Sequence, residues 1–244
     1  MKEIIEKREN RVLTGFVDLD NMIDGLHNSE LIIIGARPGM GKTAFALNIV
    51  KKVTNVQKIS TVFFSIELSQ EQILNRLNNM KMEDNDNLII DDTPGITIDE
   101  IALKCRKLKK ENKIGIVIID YLQLIGLSKT NSVKTQSLED IICRLKSLSI
   151  ELNIPILVTS QLIRAVDKRP DHRPKIQDFS LKSNIIEKNV DTIIFIYRDE
   201  YYNKESEKKG IAEIIVAKQF EGKIGIIELV WLPYPYVRFA NYPY

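Results

Sequence analysis

The stretch LIIIGARPGMGKTAFALNIV, from Leu31 to Val50, predicts the architecture around which the rest of the chain folds. It begins with four apolar residues, three of them isoleucine, which favour a strand buried on both faces. A turn with three glycines and a proline follows, and Lys42-Thr43 then opens an apolar pattern of helical spacing. Strand, glycine-rich turn, Lys-Thr and helix, in this order, are typical of a phosphate-binding P-loop.

The chemistry of phosphate binding explains these residue types. Glycines let backbone N–H groups close around phosphate oxygens, and the helix N-terminus adds partial positive charge. The Lys42 ammonium can reach the β- and γ-phosphates, and the Thr43 hydroxyl can bind Mg²⁺. The usual pattern opens with glycine, whereas Ala36 occupies that position here, so a glycine-rich turn with a coincidental Lys-Thr remains the alternative. The predicted nucleotide-binding residues are Ala36, Arg37, Pro38, Gly39, Met40, Gly41, Lys42, Thr43 and Ala44.

Composition sets broad limits on the class of protein. A length of 244 residues makes one α/β domain the simplest expectation, although two remain an alternative. The net charge of +2 neither requires nor excludes nucleic acid as a partner. Two cysteines without a CxxC pattern argue against disulfides and structural zinc. With no signal-peptide core and no apolar run long enough to span a membrane, we expect a cytoplasmic protein without a membrane partner.

Alternation of apolar runs and helical patterns up to about residue 160 predicts a mostly parallel, twisted sheet flanked by helices. The later runs at 192–197, 212–216, 224–229 and about 236–239 have no intervening helices, which predicts an antiparallel C-terminal extension. Residues 1–13 are expected to form a charged linker helix, and residues 14–244 one domain. The basic, proline-containing segment 164–177 is expected to be a long exposed loop, which is usually functional or disordered.

Three of the predicted strands are followed or ended by a polar residue, namely Glu67, Asp120 and Gln161. Ligands of open parallel sheets bind outside the carboxyl ends of the strands, so all three side chains can face one nucleotide. Asp120 is then the candidate that holds Mg²⁺, directly or through water. Glu67 is the candidate general base for the attacking water, and Gln161 the group that contacts the γ-phosphate or the water. For each residue, a polar side chain that merely ends a strand remains the alternative.

Hydrolysis of a nucleoside triphosphate commonly needs a further cation, often from a neighbouring subunit. Lys218, at the end of the strand IIVAK, is the candidate for this cation. Its alternative is an ordinary lysine at a strand end.

From Thr14 to Tyr242 the chain resembles the C-terminal motor domain of the DnaB family of replicative helicases. That family consists of hexameric enzymes with a RecA-like P-loop NTPase fold, and its own P-loop has the same alanine in first position. The matching stretches are TGFVDLDNMIDGL, ELIIIGARPGMGKTAFALNI, FFSIELS, VIIDYLQL, SQLIRAV, RPKIQD, IFIYRDEYYN, GIAEIIVAKQ and RFANY.

The resemblance implies an ATP-dependent 5′–3′ DNA helicase that acts in DNA replication, with ATP and Mg²⁺ bound at the interfaces of a homohexamer. Single-stranded DNA would thread the central channel, and primase or a helicase loader would act through an N-terminal region absent from this chain. The implied catalytic residues are Lys42, Glu67, Gln161 and Lys218, the last acting on the adjacent subunit's nucleotide, and the implied Mg²⁺ ligands are Thr43 and Asp120. The candidate DNA contacts are Arg164, Lys168, Arg169, Arg173 and Lys182.

Two departures from the family pattern leave other functions open. The family usually has KQRNG where this chain has KQFEG, so Phe220 stands at the position of the arginine finger. The family's DNA-binding loop usually reads DLRESGSIEQDAD, whereas the stretch from Asp178 to Asp191 is one residue longer and keeps only Lys182 as a candidate phosphate contact. The alternatives are a degenerate ATP-binding relative that acts in assembly or regulation, and a RecA-like recombinase or clock-type ATPase.

Overall fold

The computed structural model describes residues 11–82, 86–126, 137–219, 222–235 and 237–243. Most of the predicted linker helix, residues 1–10, lies outside them, as does Phe220. The prediction was wrong for Arg11 and Val12, which form a strand instead because they pair antiparallel with Leu26–His27. The strands are β1 (Arg11–Val12), β2 (Leu26–His27), β3 (Leu31–Ala36), β4 (Thr61–Ser65), β5 (Leu88–Asp91), β6 (Ile116–Asp120), β7 (Ile156–Gln161), β8 (Thr192–Tyr197), β9 (Ile211–Lys218), β10 (Gly225–Leu232) and β11 (Arg238–Asn241).

Seven helices connect or flank these strands in the described part of the chain. Two of them begin with side-chain caps, at Ser69 and Thr97, whose hydroxyls accept hydrogen bonds from backbone N–H groups of the first turn. The helices are α1 (Val17–Ile23), α2 (Lys42–Asn55), α3 (Gln70–Asn79), α4 (Ile98–Lys110), α5 (Leu138–Leu152), α6 (Ser183–Asn189) and α7 (Asp199–Tyr202), with short 3₁₀ turns at Leu122–Leu124, Arg164–Lys168 and Ile176–Asp178.

One nine-stranded sheet carries the fold, in the order β11-β10-β9-β8-β3-β7-β6-β4-β5. The strands from β8 to β5 run parallel, and β9, β10 and β11 are added antiparallel at the other edge. This confirms the predicted mostly parallel sheet with its antiparallel extension. The order also places β3 centrally, with β7 and then β6 and β4 on one side, so the carboxyl ends of four functional strands are neighbours.

The sheet buries both of its faces, as an α/β sandwich requires. Alternate residues of β3 enter opposite cores: Ile32 and Ile34 pack with α2 and α3, while Leu31 and Ile33 pack with α4 and α5. All four side chains are fully buried, which explains why the β3 sequence is apolar without interruption. The central strand is therefore fixed on both sides, and the loop that follows it starts from a rigid point.

The segment 164–177 differs from its prediction as an open loop. It contains the 3₁₀ turn Arg164–Lys168 and the start of a second one, and Val166 is fully buried. Arg169 and Arg173 fasten it through ion pairs to Asp178 and Glu213, two acidic residues that are themselves buried. Sequence periodicity could not indicate this, because the ordering comes from contacts with distant residues.

Candidate nucleotide-binding site

The predicted P-loop joins the end of β3 to the first turn of α2. Gly41 precedes the helix with a φ of 100°, in the left-handed region that only glycine adopts at no steric cost. A Cβ atom there would lie 2.9 Å from the ring of Phe239 and 3.0 Å from that of Trp231. Glycine is therefore required at this position, and the loop leaves the N-terminus of a 14-residue helix open to an anion.

A cavity of about 330 Å³ lies over this loop, at the carboxyl ends of the parallel strands. Lys42, Thr43, Glu67 and Gln161, four residues predicted as one site, all line it. They come from β3, β4 and β7 and the segments that directly follow these strands. The sheet order thus brings together side chains that are up to 119 positions apart in the sequence (Lys42 to Gln161).

Asp120, the fifth predicted residue, is the buried last residue of β6. Its Oδ2 accepts a hydrogen bond of 2.6 Å from the Thr43 hydroxyl, and its Oδ1 accepts one from the hydroxyl of Thr159. A carboxylate and a hydroxyl held side by side are hard oxygen ligands of the kind that Mg²⁺ prefers. No cluster of three or more acidic, histidine or cysteine residues that could hold a metal exists in the described ranges.

The ammonium group of Lys42 is partly shielded from solvent. Burial lowers the pKa of its ammonium group, while the carboxylates of Asp120 and Glu67 act in the opposite direction. In the structure its Nζ donates to the carbonyl oxygen of Ala36 at 3.5 Å, the upper limit of a hydrogen bond. The ammonium group is therefore weakly satisfied by the protein, and an anion in the cavity would be a better partner.

Glu67 and Gln161 flank the Asp120–Thr43 pair. The N–H of Ile66 donates to the carbonyl of Asp120 at 2.9 Å, which holds the exposed Glu67 beside the end of β6. Gln161 ends β7 and stands in register with Ala36 of β3. The cavity thus has a carboxylate and a carboxamide next to the oxygen pair, as a site for a bound phosphate and a water molecule requires.

Not every predicted loop residue offers its side chain to a ligand. Ala36 and Met40 are buried in the core, and the Arg37 guanidinium points away to Asp167. Their contribution to nucleotide binding, which remains a prediction, can come only from the backbone. The candidate phosphate-binding side chains of the loop are then Lys42 and Thr43.

Sequence reasoning missed several residues that line the cavity. Arg76 of α3 adds a second cation, and its position on the helix that follows Glu67 was the available signal. Trp231 and Val237 form an apolar wall, and Arg198 stacks over the Trp231 ring at 4.3 Å. Arg198 directly follows β8, and Trp231 and Val237 belong to the antiparallel extension, so no local spacing links these three residues to the P-loop.

Lys218 lies away from this cavity, at the end of β9. Its Nζ donates to the carbonyl oxygens of Glu187 and Val190, at the C-terminal end of α6. Burial lowers its pKa as well. In its own subunit Lys218 therefore donates hydrogen bonds to backbone carbonyl groups at the C-terminal end of α6. Its action on a neighbour's nucleotide remains a prediction.

The five candidate DNA contacts fall into two groups. Arg164, Lys168 and Lys182 are exposed. Arg169 instead donates to both oxygens of Asp178, at 2.7 and 2.6 Å, and Arg173 to both oxygens of Glu213, each at 2.8 Å. The structure thus gives Arg169 and Arg173 a positioning role, whereas the first three have free access to a polyanion.

Comparisons with known proteins agree with this architecture. The family model described as "DnaB-like helicase C terminal domain" matches residues 11–85 and 77–241. The replicative DNA helicase DnaC of Bacillus subtilis (strain 168) is 40% identical over 270 residues, covering 97% of this chain and 59% of the relative. The replicative DNA helicase DnaB of Geobacillus stearothermophilus is 38% identical over 269 residues, covering 98% and 59%. The chain thus spans about three-fifths of the length of these curated relatives.

Solved structures give the same result. A structure titled "The Structure Of A DnaB-Like Replicative Helicase And Its Interactions With Primase" has a TM-score of 0.87 and 32% identity, covering 99% of this chain and 65% of that one. A second structure, described as an ATPase domain, has a TM-score of 0.86 and 31% identity, covering 99% and 96%. A KaiC-like protein of Pyrococcus horikoshii, with a TM-score of 0.70 and 15% identity, covering 96% and 99%, shares the fold alone. Among the described residues, no helix is long and apolar enough to cross a membrane.

Proposed function

Because this chain belongs to the DnaB-like helicase C-terminal domain family, we propose that it is the ATP-hydrolysing motor of a 5′–3′ DNA helicase in replication. One observation carries the proposal: Lys42, Thr43, Glu67 and Gln161 line a single cavity over a helix N-terminus, with Asp120 bonded to Thr43. This set supplies phosphate binding, metal binding and a base for the attacking water. Its substrate class is a nucleoside triphosphate, here ATP with Mg²⁺.

The residues present fit such a ligand. Backbone amides at the start of α2 and the poorly satisfied Lys42 ammonium would hold the phosphates, and Thr43 with Asp120 would hold Mg²⁺. When bound, Mg²⁺ would neutralise charge on the phosphate oxygens. The apolar side chains of Trp231 and Val237 would border the bound nucleotide on one side.

For hydrolysis, a water oxygen attacks the γ-phosphorus and the bond to the β–γ bridging oxygen breaks, with those electrons leaving on ADP. Glu67 orients the water and accepts its proton, because it is the exposed carboxylate at the cavity edge. Lys42 and Arg76 neutralise charge on the transferring group, and the Gln161 carboxamide contacts the γ-phosphate or the water. Little covalent chemistry is asked of the protein, so positioning and charge supply most of the catalysis.

The assembly is part of the proposal. Lys218 is not among the residues that line the cavity of its own subunit, so in the proposed homohexamer it would act on the nucleotide of the neighbour. Arg164, Lys168 and Lys182 would face single-stranded DNA. Primase or a helicase loader is a candidate partner, because a similar DnaB-like replicative helicase interacts with primase. We place the enzyme in the cytoplasm, where replication of bacterial DNA occurs.

The proposal is tested by the ATPase rate with and without single-stranded DNA, alongside a Lys42→Ala control. We expect DNA to bind and to stimulate hydrolysis, and Lys42→Ala to lose hydrolysis by about 100-fold or more. If DNA neither binds nor stimulates the wild-type protein, the helicase function is wrong.

A second candidate, a degenerate ATP-binding relative that no longer translocates, is favoured by the Phe220 of KQFEG. An arginine finger contributes roughly 10³–10⁵ in turnover, so its replacement has a large effect if no other cation serves. Phe220→Arg separates the two candidates. A large gain in rate would show that a subunit interface forms and lacks its finger, whereas no gain in a hexameric sample would show that Phe220 does not occupy the finger position.

A further inference from the structure

We propose that Asp167 is a positioning residue that couples the basic turn Arg164–Lys168 to the P-loop through Arg37. The inference rests on the proposed function and deepens it, because it names the contact by which DNA and ATP affect each other's binding. Asp167 lies outside the nucleotide cavity, and its negative charge does not attract DNA.

Several hydrogen bonds hold the ion pair between Arg37 and Asp167. Arg37 Nε donates to both carboxylate oxygens of Asp167, at 3.0 and 3.1 Å, and Nη2 donates to Oδ2 at 2.6 Å. Nη1 donates to the carbonyl of Leu162 at 2.7 Å. The Arg37 side chain is only 11% exposed. Bidentate, charge-assisted bonds of this kind fix both the distance between the two groups and their orientation. A displacement of Asp167 therefore displaces Arg37, the first residue after β3.

A second contact fixes Asp167 itself. The Tyr202 hydroxyl donates to its Oδ1 at 2.7 Å, and the Tyr202 ring stacks on His172 with 4.2 Å between ring centres. The hydrogen bond from Arg37 is the main cause that lowers the pKa of Asp167, so the carboxylate is charged at neutral pH. The carboxylate is thus shared between the P-loop and the YRDEYYN stretch.

The same stretch holds the loop at a further point. Arg198 Nη1 donates to the carbonyl of Gly39 at 3.1 Å, and Tyr201 packs against the Cα side of Gly39. Residues 37 and 39 are therefore both held by side chains from distant parts of the chain. The shape of the phosphate cradle depends on this support, since the amides that would face phosphate belong to the same few residues.

On the other side, Asp167 shares one 3₁₀ turn with two exposed cations. Arg164 and Lys168 lie on that turn and point to solvent, while Val166 anchors it in the core. The turn begins three residues after Gln161. A polyanion that binds Arg164 and Lys168 acts directly on the backbone that carries Asp167. Asp167 then transmits the change to Arg37 and the loop, which gives a contiguous path through packed, hydrogen-bonded groups.

Coupling between two ligands is reciprocal and can be measured as one factor. The experiment compares the affinity of a non-hydrolysable ATP analogue with Mg²⁺ in the absence and presence of a saturating oligothymidylate, using the whole chain as a hexamer. In wild type we expect DNA to tighten nucleotide binding by roughly 5- to 150-fold, the usual range of such coupling. In Asp167→Asn, which keeps the size but loses the charge, the factor should fall to within about twofold of one.

Asp171→Asn is the matched control, because Asp171 is an exposed aspartate of the same segment whose carboxylate lies 3.8 Å from Arg169. It should keep the wild-type factor. If Asp167→Asn does not fold, Tyr202→Phe replaces it, since it removes one hydrogen bond to Asp167 and leaves the ion pair, and it should lower the factor by at least threefold.

The outcomes separate the two proposals. Wild type that does not bind the oligothymidylate overturns the proposed function. Wild type that binds it but shows no coupling overturns the inference alone. The inference is also overturned if the coupling factor of Asp167→Asn equals that of wild type. Where Asp167→Asn is unfolded, an unchanged coupling factor in Tyr202→Phe overturns it instead. An equal loss of coupling in the control Asp171→Asn overturns it as well.

Discussion

The Thr43 hydroxyl donates a hydrogen bond of 2.6 Å to Oδ2 of Asp120, although 77 positions separate the two residues in the chain. Thr159 occupies the other carboxylate oxygen, so Asp120 has a fixed direction before any ligand binds. The P-loop, which we propose to bind phosphate, and the strand that supplies Asp120 are thus joined by a direct hydrogen bond. A preoriented oxygen pair loses little conformational freedom when it takes up a cation.

Asp120→Asn tests whether this pair holds Mg²⁺. The amide has the same size, but it has no charge and offers one acceptor oxygen instead of two. We expect ATP hydrolysis to fall by about 100-fold or more, the scale of losing one electrostatic stabiliser, and its dependence on Mg²⁺ to move to higher concentration. Steady-state hydrolysis over a Mg²⁺ titration measures both effects. Thr159→Val removes one orienting bond and should reduce the rate far less, and an unshifted Mg²⁺ dependence in Asp120→Asn would refute the assignment.

Gln123 provides a second prediction, because its carboxamide bonds both backbone groups of Gln161. The Gln161 N–H donates to Oε1 of Gln123 at 3.1 Å, and Nε2 of Gln123 donates to the Gln161 carbonyl at 2.9 Å. Gln123→Leu removes both bonds while keeping the bulk. We expect kcat to fall by about tenfold with little change in the KM for ATP, since a misplaced Gln161 affects the reacting phosphate more than the bound one. A rise in KM with unchanged kcat would contradict the positioning role.

The sequence predicted the part of the site that follows from strand topology. Glu67, Asp120 and Gln161 could be placed together because the carboxyl ends of parallel strands share one edge, and the P-loop pattern identified that edge. Trp231 could not, because its position depends on antiparallel pairing in a part of the chain with no helical or P-loop pattern. The sequence also could not predict that the Arg37 side chain points to Asp167, because the two residues lie 130 positions apart.

Charge in the sequence was the least informative signal. The basic residues of 164–177 predicted a long exposed loop, yet two of its arginines are fixed on Asp178 and Glu213, both of which are buried. An acid that is buried needs a partner within the protein, and sequence does not show which acids become buried. The basic residues therefore divide into anchors and free cations only in three dimensions.

This division predicts opposite results for neighbouring arginines. Arg164→Ala should weaken binding of single-stranded DNA and lower the slope of log affinity against log salt by about 0.7 if one phosphate contact is lost, with unchanged thermal stability. Arg169→Ala leaves the buried Asp178 carboxylate without its cation, although the Lys175 N–H still donates to it at 2.7 Å, and should cost about 3 kcal/mol of unfolding free energy. Salt titrations of DNA affinity and thermal melting of both variants measure these effects. The division is wrong if Arg169→Ala melts like wild type while losing DNA affinity as Arg164→Ala does.

Glu213 gives the fold a pH dependence of known sign. Burial acts to raise the pKa of this carboxyl group, but hydrogen bonds from Arg173 and Lys208 outweigh it and the pKa is lowered. The folded protein therefore binds this proton less tightly than the unfolded chain, where the pKa is about 4.5. The resulting stabilisation is fully present above pH 4.5 and is lost as the pH falls through the lower pKa of the folded state.

Glu213→Gln should therefore destabilise the protein most near neutral pH. Losing the hydrogen bonds to this charged group costs about 1.5–3 kcal/mol, because the remaining Arg173 and Lys208 are 37% and 44% exposed and can be solvated, and this corresponds to a decrease in Tm of roughly 5 °C for a chain of this size. The difference in Tm from wild type should shrink as the pH falls below 4.5 and through the lowered pKa of the folded state, because the wild-type carboxylate then becomes protonated. Glu207→Gln, at an exposed position, should match wild type throughout. A Tm difference that does not shrink at any pH below 4.5 at which the protein still folds would show that the ionised form of Glu213 is not what stabilises the segment.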